Sequence, residues 1–289
     1  MHRIISIFFA LLFTLQSSFA QESKTKKYFK SYLLDARDIA KAPVQWNKKQ
    51  WIGFAAISGV VALVSTQDVK IKEFVQLRRS HVGDQITKFS LEPWGSEKNP
   101  ASLALMGLFL LHGGITGNER STNMAFLGIK TYLLAGAAVT VLKIIPHRNR
   151  PREIDAERRD GLQSVSSVSG NQQYIFDGPL YHSQDGLKYF THHVSFPSGH
   201  STEAFAMAAL ISGVYKEKKW VPWVCYSIAA MTAMSRVYDN QHWTSDVIMG
   251  SALGYSIGTL VAHRNNWGVQ LEPYTTGTTS GLNVVIPLN

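Results

Sequence analysis

The sequence predicts an all-α protein, a helical bundle of about six core helices carrying a long polar insertion, and three observations lead there. Six apolar blocks, at residues 51–66, 101–116, 125–142, 204–215, 220–235 and 247–262, are rich in Ala, Leu, Met and Gly. Each is long enough for three or more helical turns, and strand-like alternation is scarce within them. Of the 289 residues, 45% are hydrophobic and 17% charged. That balance is too apolar for a disordered chain and too polar for a protein made only of membrane spans, so apolar helices joined by polar loops are expected. The one cysteine, Cys225, excludes an internal disulfide framework and any cluster that needs several thiolates.

The first element along the chain is an address. His2 and Arg3 precede an uncharged apolar run over residues 4–15, and Ser18, Phe19 and Ala20 then form a small-x-small pattern before Gln21. Residues 1–20 are therefore expected to be a signal peptide, with the mature protein exported to the periplasm. Residues 21–122 form an N-terminal helical region: a polar, Lys-rich stretch over 22–49, then the first two blocks, which are the most comfortable as spans. Lys130 interrupts the third block. Two arrangements stay open, a soluble or peripheral bundle and an integral one with a re-entrant or interfacial helix, its active site facing the periplasm. The turn from Lys216 to Lys219 suits a cytoplasmic loop and a solvated turn equally. Residues 161–190 form the core of the long polar insertion spanning 152–196. Its Tyr174, Phe176, Tyr181, Tyr189 and Phe190 are expected to pack beneath a lid. The tail, 265–289, promises one short strand over 282–286.

Lys and Arg number 29 against 20 Asp and Glu, a net charge of +9. The sum does not choose between nucleic acid, anionic lipid and an anionic substrate, but its placement does. Basic residues flank three clusters at block boundaries and form no stripe with interleaved aromatics, so no nucleic acid is expected as a partner.

The first cluster runs from Lys143 to Arg150 and Pro151. Seven residues apart, Lys143 and Arg150 would share a face of a continuous helix, although Pro146 disturbs it. Two converging cations suit a tetrahedral oxyanion, yet a basic helix end capping its own carbonyls reads the same way. In the second, Pro197-Ser198-Gly199-His200, Ser198 is a good N-cap and Gly199 lets backbone approach a ligand. The free N–H groups of that helix start make an anion site, with His200 beside it to deliver a proton. An ordinary capped helix with a surface histidine is the plainer alternative. The third contains Arg236, His242 and Asp246. His242 and Asp246 are four apart, so on a helix the carboxylate reaches one ring nitrogen and leaves the other to attack; a surface pair is the bland alternative.

Together, Lys-x6-Arg-Pro, Pro-Ser-Gly-His and Ser-Arg-x5-His-x3-Asp resemble the three-part signature of the type 2 phosphatidic acid phosphatase and vanadium haloperoxidase superfamily, in the same order, over residues 123–264. The resemblance implies a phosphatase acting on phosphomonoesters or diphosphates, most plausibly of lipids, so the expected partner is a phosphorylated lipid or small phosphoester. It implies His242 as the nucleophile, Asp246 as its orienting carboxylate and His200 as the general acid. Lys143, Arg150, Ser198, Gly199 and Arg236 match the positions that hold phosphoryl oxygens. Three cations and a helix N-terminus supply the charge stabilisation that phosphoryl transfer needs, so no cofactor and no metal are expected. His182, His192, His193 and His200 lie near one another, but none has the His-Glu-x-x-His spacing. Vanadate enters only with the alternative of a haloperoxidase; a non-specific periplasmic acid phosphatase and a non-catalytic anion-binding membrane protein are the other readings.

Overall fold

Each of the six apolar blocks folds into a helix. The computed structural model describes residues 19–88, 100–143, 148–152, 154–155, 194–264, 270–276 and 279–285. The helices are α1 (Phe19–Gln45), α2 (Lys48–Ser65), α3 (Asp68–Gln76), α4 (His81–Ile86), α5 (Pro100–Thr116), α6 (Glu119–Lys143), α7 (Gly199–Val214), α8 (Trp220–Tyr238) and α9 (Thr244–Arg264), followed by strands β1 (Gln270–Thr276) and β2 (Thr279–Val285). The expected signal peptide falls almost wholly outside the described residues, as does nearly all of the insertion with its five aromatic residues.

Within the expected N-terminal helical region, the polar stretch over 22–49 is mostly helix α1, which finds partners on α6 and α9. Lys130, fully buried on α6, pairs with Asp35 of α1 and donates to Ser31 Oγ at 2.9 Å. Arg264, at the end of α9, pairs with Asp38. The lysine that interrupts an apolar block is thus the anchor of a polar helix. The tail holds an antiparallel hairpin instead of one strand, with Gln270 opposite Val285 and Thr276 opposite Thr279.

The core joins α5, α6, α7 and α9, where Met106, Met124, Leu127, Leu134, Met207, Leu210, Ile257 and Val261 are buried together. The closest helix contact is between α7 and α9. Gly250, Gly254 and Gly258 recur every four residues, so they line one ridge of α9. A Cβ on these three would collide with the carbonyl oxygens of Ser198, Thr202 and Ala206, the matching ridge of α7. Small residues here let two backbones meet, as in tightly packed membrane helices. The contact sets the first turn of α7 against the first turn of α9, where the second and third motifs lie.

The outer faces are different. α2 buries none of its residues, and Trp51, Ile52, Phe54, Val60 and Leu63 are exposed on it. On α8, Trp220, Trp223, Val224, Met231 and Met234 are exposed as well. By length and composition α6 is apolar enough to cross a membrane, and α2 with α3 passes the same test as a pair bent by 59°. The α6 candidate is also a core helix, with Met124, Ala125, Leu127, Leu134 and Ala135 buried.

Candidate active site

The first motif does not lie along one helical face. α6 ends at Lys143, and Asn149 instead forms an isolated antiparallel bridge with Val194. The residues around Asn149 run antiparallel to the segment that leads into the second motif. Lys143 Nζ donates to Val194 O at 2.9 Å, and Ser195 N donates to Arg148 O at 2.6 Å. Lys143 and Arg150 are both buried, and Arg150 Nη1 donates to Gln241 Oε1 at 3.2 Å, which ties the first motif to the third.

The second motif begins α7. Ser198 is the N-cap, its extended backbone at φ −70° and ψ 114° and its hydroxyl accepting from Ser201 N. Ser198 N donates to Asp246 O at 3.1 Å, so the cap is fastened directly to α9. A Cβ on Gly199 would meet only Val139 Cγ1, at an ordinary 3.6 Å. Packing among the described residues therefore does not require glycine there. His200 is half-buried in this first turn, where the helix dipole and the early N–H groups favour an anion.

The third motif turns between α8 and α9. Asn240 adopts a left-handed conformation, φ 58°, which lets the amides of Gln241 and His242 both donate to Arg236 O, at 2.9 and 3.2 Å. Arg236 is buried and donates from Nη2 to Asp239 Oδ2 at 3.0 Å. His242 is 2% exposed, with its ring centroid 6.2 Å from that of His200.

The histidine's orientation differs from the expected direct contact with Asp246. Nδ1 of His242 lies 2.8 Å from Ser195 O but 3.9 Å from Asp246 Oδ2. A carbonyl only accepts, so Nδ1 carries the proton in this arrangement and Nε2 keeps its lone pair. Asp246, at the third position of α9, folds back to accept from Trp243 N at 2.9 Å, closing the first turn as a capping-box residue does. The same Oδ2 accepts from Ser195 Oγ at 2.5 Å. Its other oxygen accepts from Arg148 Nη1 at 2.5 Å. Arg148 in turn donates from Nη2 to Asp68 Oδ2 at 2.7 Å, and Ser245 N donates to Asp68 Oδ1 at 3.0 Å. Sequence reasoning missed Asp68, Arg148 and Ser195. Arg148 stands two residues before Arg150 and Ser195 three before Ser198, but nothing local distinguishes Asp68, which is far away in the chain.

Three cations converge electrostatically on both imidazoles. Burial pushes the His242 ring well below the ordinary histidine range, and the charges of Arg150, Lys143 and Arg236 push it further; the Ser195 carbonyl opposes them. His200 is pushed down by burial first, then by Arg236, His242, Arg150 and Lys143. Both rings are thus biased toward the neutral form, in which one imidazole nitrogen keeps its lone pair. An anion placed among the three cations would offset them and raise the affinity of His200 for a proton.

The family model for the PAP2 superfamily matches residues 126–269, which include the three clusters. The chain belongs to the PAP2 superfamily. Among PAP2 proteins, it is 42% identical over 67 residues to Lipid A 1-phosphatase of Porphyromonas gingivalis, covering 23% of this chain and 15% of that one. It is 33% identical over 66 residues to Lipid A 4'-phosphatase of the same species, covering 23% and 28%. A third relative, the probable diacylglycerol pyrophosphate phosphatase 1 of Schizosaccharomyces pombe, is 30% identical over 147 residues, covering 45% and 48%. The chain thus spans less than half the length of each of these curated relatives. Among solved structures, it resembles the transmembrane PAP2 type phosphatidylglycerolphosphate phosphatase of Bacillus subtilis, with TM-score 0.45 and 21% identity over 82% of this chain and 93% of that one.

Proposed function

We propose that the protein is a lipid phosphohydrolase that cleaves phosphomonoesters or diphosphates through a phosphohistidine on His242. The observation that carries this reading is the setting of His242: a buried ring, its Nδ1 proton committed to Ser195 O, beside His200 and in the field of Lys143, Arg150 and Arg236. The cations and the N-terminus of α7 bind the phosphoryl oxygens and stabilise the charge that spreads over them during transfer. Nε2 attacks phosphorus, the bond to the leaving oxygen breaks, and His200 gives that oxygen its proton. Water then attacks phosphorus and passes a proton to His200, the phosphorus–nitrogen bond breaks with its electron pair returning to Nε2, and phosphate is released, restoring both rings.

The named relatives act on lipid A and on diacylglycerol pyrophosphate, which supports a phosphorylated lipid as substrate. The apolar outer faces of α2 and α8 support membrane association. The signal-peptide pattern supports export, with the site facing the periplasm. The test is phosphate release by the purified protein across a panel of lipid mono- and diphosphates and one water-soluble aryl phosphate. His242→Ala is expected to lower turnover by about 10⁴-fold or more, as when a reacting residue is removed from a unit. Undiminished turnover in that variant, or no phosphate release from any ester, overturns the proposal.

A further inference from the structure

The buried network behind His242 has more members than the nucleophile and its carboxylate. Asp68, Arg148, Ser195, Ser245 and Asp246 are all buried, and they are joined in one chain of hydrogen bonds. Arg148 bridges two carboxylates, Asp68 Oδ2 at 2.7 Å through Nη2 and Asp246 Oδ1 at 2.5 Å through Nη1, and its Nη1 also donates to Ser245 Oγ at 2.6 Å. Its guanidinium carbon lies 5.3 Å from the ring centroid of Trp243, another buried side chain. Asp68 accepts from Ser245 N at 3.0 Å and from the Ser245 hydroxyl. It is the first residue of α3, just past the bend that separates α3 from α2.

We propose that Asp68 and Arg148 are positioning residues for phosphoryl transfer, a bracket that holds Asp246 against Ser195, and that Ser195 passes this orientation on to His242. The bracket holds Asp246 Oδ1, while Oδ2 receives Trp243 N and Ser195 Oγ. Ser195 Oγ is thereby fixed 3.3 Å from Nδ1 of His242, and the carbonyl of the same residue accepts Nδ1–H at 2.8 Å. The 3.9 Å separation between Nδ1 and Asp246 Oδ2 exceeds hydrogen-bond range, so the carboxylate acts through Ser195. The two terminal nitrogens of Arg148 are directed to carboxylates, and a lysine has no planar fork with which to bridge them.

The bracket rests on the phosphatase reading for its kinetic consequence, but its effect on the His242 ring does not. Turnover of an aryl phosphate and ¹⁵N shifts of the His242 ring are measured together on the full-length protein and on Asp68→Asn, Arg148→Lys and Ser195→Ala. Asp68→Asn and Arg148→Lys are expected to lower kcat by about 10–100-fold, the range for partners that orient a reacting ligand from behind. KM and the inhibition constant for vanadate should change less than twofold, because neither residue holds the phosphoryl group. In the ring spectrum, the protonated-Nδ1 form should give way to a tautomer mixture. Asp68→Asn combined with Asp246→Asn should lose no more than Asp246→Asn alone, since both act along one path. Ser195→Ala, which removes one hydroxyl and leaves the carbonyl, guards against a folding failure in the charged variants and should show a smaller loss of the same pattern. A rise in KM and in the vanadate constant at constant kcat would make Arg148 a phosphate ligand and overturn the bracket. So would unchanged ring shifts in all three variants. A wild-type protein that releases no phosphate, yet whose ring shifts respond as described, overturns the phosphatase reading and leaves the bracket standing.

Discussion

Helices α2 and α9 are both long and apolar, and α2 is the more apolar of the two, yet they have opposite places in the molecule. α9 buries Ser245, Asp246, Val247, Gly250, Gly254, Ile257, Gly258, Val261 and Ala262, whereas α2 buries nothing. The difference is residue size along one face. Three glycines at a spacing of four give α9 a flat ridge that another backbone can reach, and dispersion contacts and backbone proximity replace bulk. α2 presents Trp51, Ile52, Phe54, Val60 and Leu63 outward, a surface larger than isolated exposed residues would make and one suited to lipid. Apolarity alone does not separate core from periphery in this chain; the positions of the small residues do. The candidate site follows the same division, since His200 and Asp246 sit at the first turns of the two helices that the glycine seam brings together.

The comparison can be broken from either side. The largest expected effect comes from Lys130, the buried charge on the core side. Lys130→Ala strands Asp35 without its closest cation, and breaking a buried pair in this way costs about 3–5 kcal/mol. Denaturant unfolding in detergent would register it, and a midpoint unchanged from wild type would mean that α1 is not anchored there. Next comes the seam. Gly254→Ala places a methyl group against the Thr202 carbonyl, so the helices must part, at about 1–3 kcal/mol for overpacking. Turnover should fall as well, because parting α7 from α9 separates His200 from His242. A stable, fully active Gly254→Ala would remove the seam from the account.

The third effect is that of pH. His200 and His242 have folded-state affinities for protons depressed below the unfolded value of about 6.5, so the unfolded chain binds more protons in the acid range. The derivative of unfolding free energy with pH is then positive. Their contribution is complete above about pH 6.5 and declines as pH falls toward the depressed folded values. Thermal unfolding followed from pH 7.5 to 5 should show a falling midpoint, and Arg236→Gln, which removes a cation facing both rings, should flatten the decline. A steeper decline in that variant would contradict the electrostatic cause. The smallest effect belongs to α2. Leu63→Ser, on its exposed face, should change the unfolding free energy by no more than about 0.5 kcal/mol while weakening attachment to phospholipid vesicles. Loss of folding from this change would show that α2 is covered by protein.

Much of the site was legible from residue types and spacing alone. Ser198 before Gly199 announces a helix start, and His242 four residues before Asp246 announces a pair, because capping and helical spacing are local. The same locality explains what was misread. Lys143 and Arg150 are not on one helical face: α6 ends at Lys143, and Arg150 follows the bridge of Asn149 with Val194. Asp246 reaches His242 by way of Ser195, since the first turn of α9 directs the carboxylate back to Trp243 N and leaves the ring nitrogen to a carbonyl. How α1 docks on the core was not legible, because its ion pairs are with Lys130 and Arg264, distant residues that no window of sequence contains.

By itself the sequence determined the helical class, the six apolar helices and the order of the three motifs, all of which depend on periodicity and short-range chemistry. Only the tertiary structure decided which apolar face is core, how Lys143, Arg150 and Arg236 reach the same two histidines, and that Asp68 stands behind Asp246. Those outcomes depend on which distant surfaces approach closely enough to exclude water, and close approach is a property of pairs of elements that neither element carries alone.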